Sequence, residues 1–460
     1  MKATLVLPEA LATELLGVAQ GKLETAGVLL ASTFETPDGN LRVLGRAIRW
    51  VPEEAYQLRE SDQLQISSDG YVGALGEAES LGTTAIWFHT HPGRGSSPRS
   101  SEHDDLVDEQ LADVFRIRTG QDFYGAFILA VTGGRLQLSG HLDDGTHRIP
   151  ISRLWSVGDR FVLTASVTER KTKLKPAFDR NIRAFGGSVQ RVLHDLSIGI
   201  VGCGGTGSAV AEQLTRLGVR HFRLVDPDVV SESNLTRVYG STPADVGALK
   251  VEVLARHLSK IAPDAVIATD PSMITLRPTA VGLVGSDIIF GCTDDNAGRL
   301  VLSRLSTYLL TPVIDCGVLL SSDPNSGTLS GIDGRVTTLT PGAGCLVCRG
   351  RVDLQRANSE LLTPDERVRL ADEGYAPALQ GEEPAVVTFT TLVAAIAVSE
   401  LLERLVDYGP EPRPSEVLLR IHDREMSTNI ALPRPRHYCD PTAGKLGLGL
   451  TEPFLEQTWP

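Results

Sequence analysis

The chain has 460 residues, too many for one typical hydrophobic core, so we expect two or three domains. Its net charge of −13 argues against a nucleic-acid partner, because phosphate binding needs a basic face. No apolar run is long enough to span a membrane, the N-terminus does not resemble a signal peptide, and the six sparse cysteines favour the reducing cytoplasm over a disulfide framework.

Residues 1–150 have the pattern of one α+β domain. Apolar residues at helical spacing predict a first helix over residues 7–24. Strands, one further helix and two more strands are predicted in this order: 26–33, 40–51, 83–90, a helix over 100–115, then 124–132 and 134–142.

The stretch "WFHTHPGRGSSPRSSEHDD" follows the third predicted strand. Positions i and i+2 of a strand share a face, so His89 and His91 should project together. Ser101 suits a helix N-cap, and Asp104 lies three residues later. One interpretation is therefore a strand followed by a capped helix. The other is a zinc site, since two imidazoles and a carboxylate form a standard three-ligand set that leaves a fourth position for water.

The motifs "HTHP" and "SSEHD", together with "LETAGVLLAS" upstream, resemble the JAB/JAMM (MPN-type) metalloprotease family. The resemblance implies catalytic Zn²⁺ on His89, His91 and Asp104, with Glu24 as the acid/base and Ser101 assisting. The loop between His91 and Ser101 is longer than the family's usual spacing. Asp105 is therefore the alternative third ligand, although the Ser-x-x-Asp spacing favours Asp104.

Residues 151–178 fit neither neighbouring pattern, and we expect a linker there. From residue 179, apolar strands at 196–202, 221–226, 287–292 and 311–317 alternate with helical stretches, which predicts a Rossmann-like, mostly parallel sheet covered by helices. A long apolar helix is predicted over 383–406. This second domain should extend over residues 179–440, and residues 441–460 should form a C-terminal tail.

A glycine-rich turn, "GCGGTG", joins the first of these strands to a helix. Gly202, Gly204 and Gly207 form Gly-x-Gly-x-x-Gly, which lets backbone N–H groups approach phosphates. Asp226 ends the next strand, where an acid commonly binds ribose hydroxyls. These features alone fit an NAD-dependent or an ATP-dependent enzyme. Triphosphate chemistry is favoured by Asn234, Arg237, Lys250 and Asp294, since the cations would neutralise phosphates and the carboxylate would hold Mg²⁺.

This set resembles the ThiF/MoeB family of adenylating enzymes, which includes ubiquitin-activating enzymes. The matching positions are Gly202, Gly204, Gly205, Gly207, Asp226, Asp228, Asn234, Arg237, Lys250 and Asp294, with Arg299 at the expected distance. The resemblance implies ATP and Mg²⁺, a homodimer, and Arg183, with Arg180, reaching the partner subunit's site. A solvated helix face is the equally weighted alternative for these two arginines.

The cysteines raise a further question. Cys345 and Cys348 lie where the resembled family carries its first zinc pair, and His437 and Cys439 are the only such residues near the C-terminus. A structural Cys₃His zinc site is one interpretation, and a lost site with free thiols is the other. Residues 349–390 contain no cysteine for a thioester, and Cys203, Cys292 and Cys316 have the character of packing residues.

The combined interpretation is a bifunctional enzyme. One half would adenylate the C-terminal glycine of a ubiquitin-like or sulfur-carrier protein, and the zinc half would cleave that protein's extension or conjugates. A conjugating enzyme or a sulfur donor would be a further partner. The alternatives are adenylation of a short peptide tail, a NAD-dependent oxidoreductase, and a non-catalytic scaffold.

Overall fold

The computed structural model describes residues 1–93, 98–166, 173–322, 329–362 and 385–459. The chain divides into two compact units. The first unit contains Met1–Lys171 and Leu446–Leu450, and the second contains Thr172–Lys445 and Thr451–Pro460. The loop between His91 and Ser101, which is longer than the JAB/JAMM spacing, lies in part outside the described residues. The same is true of the basic end of the expected linker.

The first unit is built on one eight-stranded sheet. Its strands are β1 (Ala3–Pro8), β2 (Ala26–Glu35), β3 (Leu41–Trp50), β6 (Thr84–Thr90), β7 (Tyr124–Thr132), β8 (Arg135–Asp143), β9 (Arg148–Val157) and β10 (Phe161–Ala165). A separate short hairpin joins β4 (Tyr56–Arg59) and β5 (Leu64–Ile66). The helices are α1 (Glu9–Ala19), α2 (Asp69–Leu81) and α3 (Glu102–Thr119).

The large sheet closes on itself. Its order is β1-β3-β2-β6-β7-β8-β9-β10, and β1 also pairs in parallel with β9. The sheet is therefore barrel-like, and β10 pairs with β9 outside the closed ring of seven strands. Because the sheet is closed, β1 has a hydrogen-bonded partner on both edges, whereas the edge strand of an open sheet has a partner on one edge only.

Alternate residues of β2 belong to two hydrophobic clusters. Leu29 and Ala31 pack in one cluster with buried residues of β1, β7 and α1. Val28 and Leu30 pack in the other, with residues of α2 and α3. Because successive strand side chains point to opposite faces, this pattern places apolar material on both sides of the sheet.

Residues 151–165, which we expected to belong to a linker, form most of β9 and all of β10. They show no clean alternation of apolar and polar residues because β9 has β8, β10 and β1 as neighbours and is largely buried. The sheet of the first unit therefore extends past the predicted boundary at residue 150.

The second unit contains another eight-stranded sheet. Its strands are β11 (Ser197–Val201), β12 (His221–Val225), β13 (Val266–Asp270), β14 (Ile288–Gly291), β15 (Val313–Ser322), β16 (Leu329–Leu339), β17 (Glu416–Arg420) and β18 (Glu425–Asn429). Its helices are α4 (Asp179–Asp195), α5 (Gly205–Leu217), α6 (Lys250–Ile261), α7 (Arg277–Gly282), α8 (Asn296–Tyr308), α9 (Leu354–Glu360) and α10 (Val387–Val406).

The order of this sheet is β13-β12-β11-β14-β15-β16-β17-β18. The strands from β13 to β15 are parallel, which confirms the Rossmann-like prediction, whereas β16, β17 and β18 are added in antiparallel pairs. The sheet is thus mixed. Strand order reverses between β11 and β14, and such a reversal opens a crevice at the carboxyl ends of the strands.

The last residues do not behave as a detached tail. Phe454 and Leu455 are buried in the second unit. Arg304 of α8 donates a hydrogen bond to the carbonyl oxygen of Glu456 at 3.0 Å, and Tyr308 donates to its side chain at 2.8 Å. Among the described residues, no helix combines the length and the apolar character that crossing a membrane would demand.

Candidate functional site

The first candidate site lies at the carboxyl end of β6. His89 is near the end of this strand and His91 follows it. The antiparallel register pairs His89 with Ala26 of β2, so Glu24, just before β2, comes opposite His91. On the other side, the N–H of His91 donates to the carbonyl oxygen of Leu129 in β7 at 2.7 Å.

The donor atoms of three residues converge here. His89 Nε2 lies 3.2 Å from His91 Nε2 and 3.3 Å from Asp104 Oδ1. One ligand atom from each of His89, His91 and Asp104 lies within 4.8 Å of the other two. Of the two adjacent carboxylates, Asp104 is thus the one that joins the histidines. Glu24 Oε1 lies 3.9 Å from His91 Nε2, beside the cluster.

Helix α3 positions Asp104. Ser101 is the N-cap, as predicted, and its hydroxyl accepts a hydrogen bond from the Asp104 N–H. The N–H and hydroxyl of Ser101 each lie 2.8 Å from Asp104 Oδ2 and donate to it. Burial acts to raise the pKa of Asp104, but the hydrogen bonds from His89 and Ser101 hold that pKa well below its usual range. Burial raises the pKa of Glu24.

The second candidate site is a cavity of about 780 Å³ at the carboxyl ends of the parallel strands. The turn between β11 and α5 forms one wall. Gly202 has a φ of +91°, and a Cβ atom there would lie 2.5 Å from the Cys292 carbonyl oxygen. A Cβ atom on Gly207 would lie 1.8 Å from the Gly202 carbonyl oxygen, whereas one on Gly204 would meet nothing within 4 Å. Of these three glycines, Gly204 is therefore the one that faces open space.

Two acidic residues after β12, Asp226 and Asp228, connect the glycine turn, the loop after β12 and the start of α6. Asp226, just after β12, accepts hydrogen bonds from the N–H of Cys203 at 2.6 Å and of Asp228 at 2.9 Å. Burial raises the pKa of Asp226, although Lys250 acts in the opposite direction. Lys250, the first residue of α6, lies 2.7 Å from Asp228 Oδ2.

Of the remaining predicted residues, Arg237 and Asp294 line this cavity, and Asn234 does not. Arg237 lines it, packs its side chain near Gly205, and donates to the Ser233 carbonyl oxygen at 2.9 Å. Asn234 is buried in the preceding turn and accepts a hydrogen bond from the Ser231 N–H at 3.1 Å. After β14, Asp294 is exposed and lines the cavity. Its neighbour Asp295 instead caps α8 by accepting from the N–H of Gly298.

Arg183 is not among the residues lining the cavity. It lies on α4 with a side chain 79% exposed, and its Nε is 2.9 Å from Asp179 Oδ2. Arg180 is exposed on the same helix. Within a single chain, this arrangement fits a solvated helix face.

A third cluster joins Cys345, Cys348, His437 and Cys439, whose ligand atoms all lie within 4.8 Å of one another. His437 Nδ1 lies 3.4 Å from Cys348 Sγ and 3.2 Å from Cys439 Sγ. Hydrogen bonding from Cys439 lowers the pKa of the Cys345 thiol, and burial opposes it. Three thiols and one imidazole are a donor set that suits tetrahedral zinc.

Several arginines that line the second cavity were not among the predicted site residues. Arg335 and Arg420 line it from β16 and β17, and Arg351 lines it from the segment before α9. Strands β16 and β17 were not predicted, so nothing in the sequence indicated which of their side chains share a face. Arg299 was noted only for its spacing from Asp294.

The chain is similar in sequence to several known proteins. The chain is similar to ubiquitin-like modifier-activating enzyme 5 of Arabidopsis thaliana, with 27% identity over 234 residues, 47% of this chain and 49% of that protein. It is similar to the molybdopterin-synthase adenylyltransferase of Escherichia coli (strain K12), with 30% identity over 173 residues, 37% of this chain and 65% of that protein. The chain thus spans about half the length of the first relative and less than two thirds of the second.

A crystal structure of E. coli MccB with ATP has a TM-score of 0.44 and 18% identity, covering 57% of this chain and 73% of that one. The model of the ThiF family matches residues 178–440, which is more than half of the chain and includes the glycine turn, the cavity and the cysteine cluster. The chain therefore belongs to the ThiF family.

Proposed function

We propose that the second unit uses ATP and Mg²⁺ to adenylate the C-terminal glycine carboxylate of a ubiquitin-like or sulfur-carrier protein. The observation that carries this proposal is the cavity itself. A glycine turn at a helix N-terminus, two cations (Arg237 and Lys250) and an exposed carboxylate (Asp294) line one space. That combination suits a triphosphate better than a nicotinamide cofactor.

Each residue has a physical role. The N–H groups at the start of α5 would face the phosphates, and Gly204 leaves room for their approach. Arg237 and Lys250 would neutralise phosphate oxygens, with phosphate replacing Asp228 as the partner of Lys250. Asp294 is the exposed carboxylate that fits Mg²⁺, an ion that withdraws charge from phosphate oxygens when bound.

In the proposed reaction, a carboxylate oxygen of the protein substrate forms a bond to the α-phosphorus. The bond from that phosphorus to the bridging oxygen of the β-phosphate breaks, and pyrophosphate leaves with the electron pair. No nucleophilic side chain takes part. Catalysis comes from positioning and charge neutralisation.

The test is isotope exchange between pyrophosphate and ATP in the presence of candidate proteins ending in Gly-Gly. We expect Asp294→Ala and Arg237→Ala to reduce exchange by about 100-fold or more. Arg216→Ala is the matched control, because Arg216 is exposed on α5 and pairs with Glu212 away from the cavity. Exchange that proceeds equally well without any protein substrate would contradict the proposal.

Two alternative functions have their own tests. Mass spectrometry of the products would reveal an adenylated short peptide, and calorimetry with NAD tests the oxidoreductase alternative.

We further propose that the first unit is a zinc-dependent peptidase of the JAB/JAMM type. The donor set of two imidazoles and one carboxylate fits Zn²⁺, so His89, His91 and Asp104 would hold it. Zinc, when bound, would activate a water and polarise a carbonyl group. Glu24 lies beside His91, where it can take up and return a proton. The N–H of Ser101 orients Asp104, and the Ser101 hydroxyl would turn from Asp104 to donate a hydrogen bond to the developing oxyanion.

The product of the proposed cleavage carries the chemical group that the proposed adenylation uses. Cleavage of an extension or conjugate leaves a free C-terminal carboxylate, and a free carboxylate is what adenylation requires.

Cleavage of a ubiquitin-like protein carrying a C-terminal extension tests the peptidase. His89→Ala should lose the metal and the activity, whereas Glu24→Gln should retain the metal and lose the activity by about 100-fold or more. His147→Ala is the control, since His147 is exposed near Asp144. Full cleavage by Glu24→Gln would refute the assignment.

We also propose a structural zinc on the Cys₃His cluster and a cytoplasmic homodimer in which Arg183 reaches the nucleotide site of the partner subunit. The exposed side chain of Arg183 does not line the cavity of its own chain and is accessible to a partner subunit.

A further inference from the structure

The cavity of the second unit contains an arginine pair that the proposed nucleotide site does not use. Asp315 of β15 is fully buried. Its Oδ1 lies 3.4 Å from Arg299 Nε, and its Oδ2 accepts a hydrogen bond from Arg335 Nη2 at 3.0 Å. The side chains of Arg299 and Arg335 are 15% and 18% exposed, and both residues line the cavity.

The direct ion pairs at this point leave one positive charge in excess, and Asp333 is a further carboxylate of the cavity lining. Two guanidinium groups share the single carboxylate of Asp315. Other arginines of the cavity lining have acids of their own: Arg351 pairs with Glu416, Arg356 with Glu360, and Arg420 with Glu425. In addition, the buried Nε of Arg335 has no hydrogen-bond partner in the part of the chain that the structure describes. A largely buried positive charge with unused donors is a good site for an anion, above all for a carboxylate or a phosphate.

The position of the pair decides between these two anions. In the sheet order, the glycine turn follows β11, Asp294 follows β14, Asp315 lies in β15 and Arg335 lies in β16. In strand order, Asp294 therefore comes between the phosphate-binding turn and the strands that carry Asp315 and Arg335. The nucleotide phosphates belong on the side of the glycine turn, so the opposite side is where a second substrate would enter.

We infer that Arg299 and Arg335 bind the C-terminal carboxylate of the protein tail, and that Asp315 is the positioning residue that holds both guanidinium groups. This inference rests on the proposed adenylation function. It names the residues that select a free C-terminal carboxylate over an amide or a conjugated tail. An arginine pair gives planar, two-point contacts that a single lysine cannot reproduce.

The experiment measures selectivity for the carboxylate by calorimetry. The full chain is loaded with Mg²⁺ and the non-hydrolysable analogue α,β-methylene-ATP. It is then titrated with a peptide ending in Gly-Gly, either as the free acid or as the C-terminal amide. For the wild type we expect the free acid to bind about 10-fold more tightly than the amide, the usual effect of a charge-assisted contact.

Arg335→Gln should reduce this preference to about twofold or less, and Arg335→Lys should restore part of it. Affinity for the nucleotide analogue should stay within about twofold of wild type in both variants, because the arginine pair lies beyond Asp294. Asp315→Asn should also reduce the preference. Arg216→Gln, a charge-matched exposed control on α5, should keep the wild-type preference.

The outcomes separate the two proposals. Wild-type protein that binds acid and amide equally well overturns the carboxylate assignment, as does an Arg335→Gln variant that loses affinity for the nucleotide while it keeps the preference. The pyrophosphate-exchange assay tests adenylation by itself. If no candidate protein supports exchange but the Arg335-dependent preference persists, the carboxylate site stands and the proposed reaction fails.

Discussion

Glu24 comes opposite His91 because the strands that carry them run antiparallel and β2 begins where β6 ends. The spacing of His89 and His91 predicts a shared strand face, and the structure places both side chains together with Asp104. The spacing of His89 and His91 does not indicate which strand lies beside β6. Only the resemblance of "LETAGVLLAS" to a known motif brought Glu24 into the prediction. Strand pairing between distant segments is not encoded in local periodicity.

The glycines of the Gly-x-Gly-x-x-Gly motif have different physical reasons to be glycine. Gly207→Ala should destabilise the second unit by about 2 kcal/mol or more, because its Cβ would collide with the Gly202 carbonyl oxygen. Gly204→Ala should change the free energy of unfolding by less than about 1 kcal/mol, since its φ of −73° suits alanine and the space is open. Its methyl group would instead reach into the cavity and weaken ATP binding by about 10-fold.

Chemical denaturation and nucleotide titration of the two variants check this contrast. A Gly204→Ala protein that binds ATP as tightly as wild type would show that phosphates do not approach this part of the turn. The motif Gly-x-Gly-x-x-Gly predicts the turn and its ligand class, but it cannot assign these separate roles. They depend on which backbone atoms of the folded turn lie behind each glycine.

At the level of elements, four of the five parallel strands of the second unit were predicted, and the half-exposed β13 was not. Strands β11, β12, β14 and β15 are apolar and buried along most of their length, so their composition identifies them. Strand β18 is exposed along its whole length, and β16 and β17 mix charged with apolar side chains, so these three strands were not predicted. The arginine pair went unnoticed for this reason, since Arg335 is defined by its place in β16.

The C-terminal segment offers an element-scale prediction. Phe454 is 1% exposed and belongs to the second unit. Phe454→Ala should therefore lower the free energy of unfolding by about 3–5 kcal/mol. Leu432→Ala should have almost no effect, because Leu432 is 80% exposed. Urea denaturation of both variants tests this, and equal stability of Phe454→Ala and wild type would mean that the segment is detached in solution.

At the scale of the whole molecule, the proposed homodimer can be tested by complementation. Arg183→Ala and Asp294→Ala subunits should each be inactive in pyrophosphate exchange. In a mixed dimer, the subunit with an intact Asp294 receives Arg183 from its partner, so one site of two is complete. Random mixing should therefore restore about a quarter of wild-type activity. Full activity of Arg183→Ala alone would indicate that this arginine belongs to a solvated helix face.

The closed sheet of the first unit has a consequence for how the protein is made. One edge of β1 pairs with β3, but its other edge pairs with β9, which ends at Val157. About 100 residues separate these partners, so at roughly 5–20 residues per second the ribosome needs about 5–20 s to deliver the second one. During that interval a nascent chain carries an unpaired, apolar strand edge, which invites association with other chains. A fragment ending at residue 150 would keep that edge open permanently, and its insolubility would reflect a missing strand rather than an unstable core.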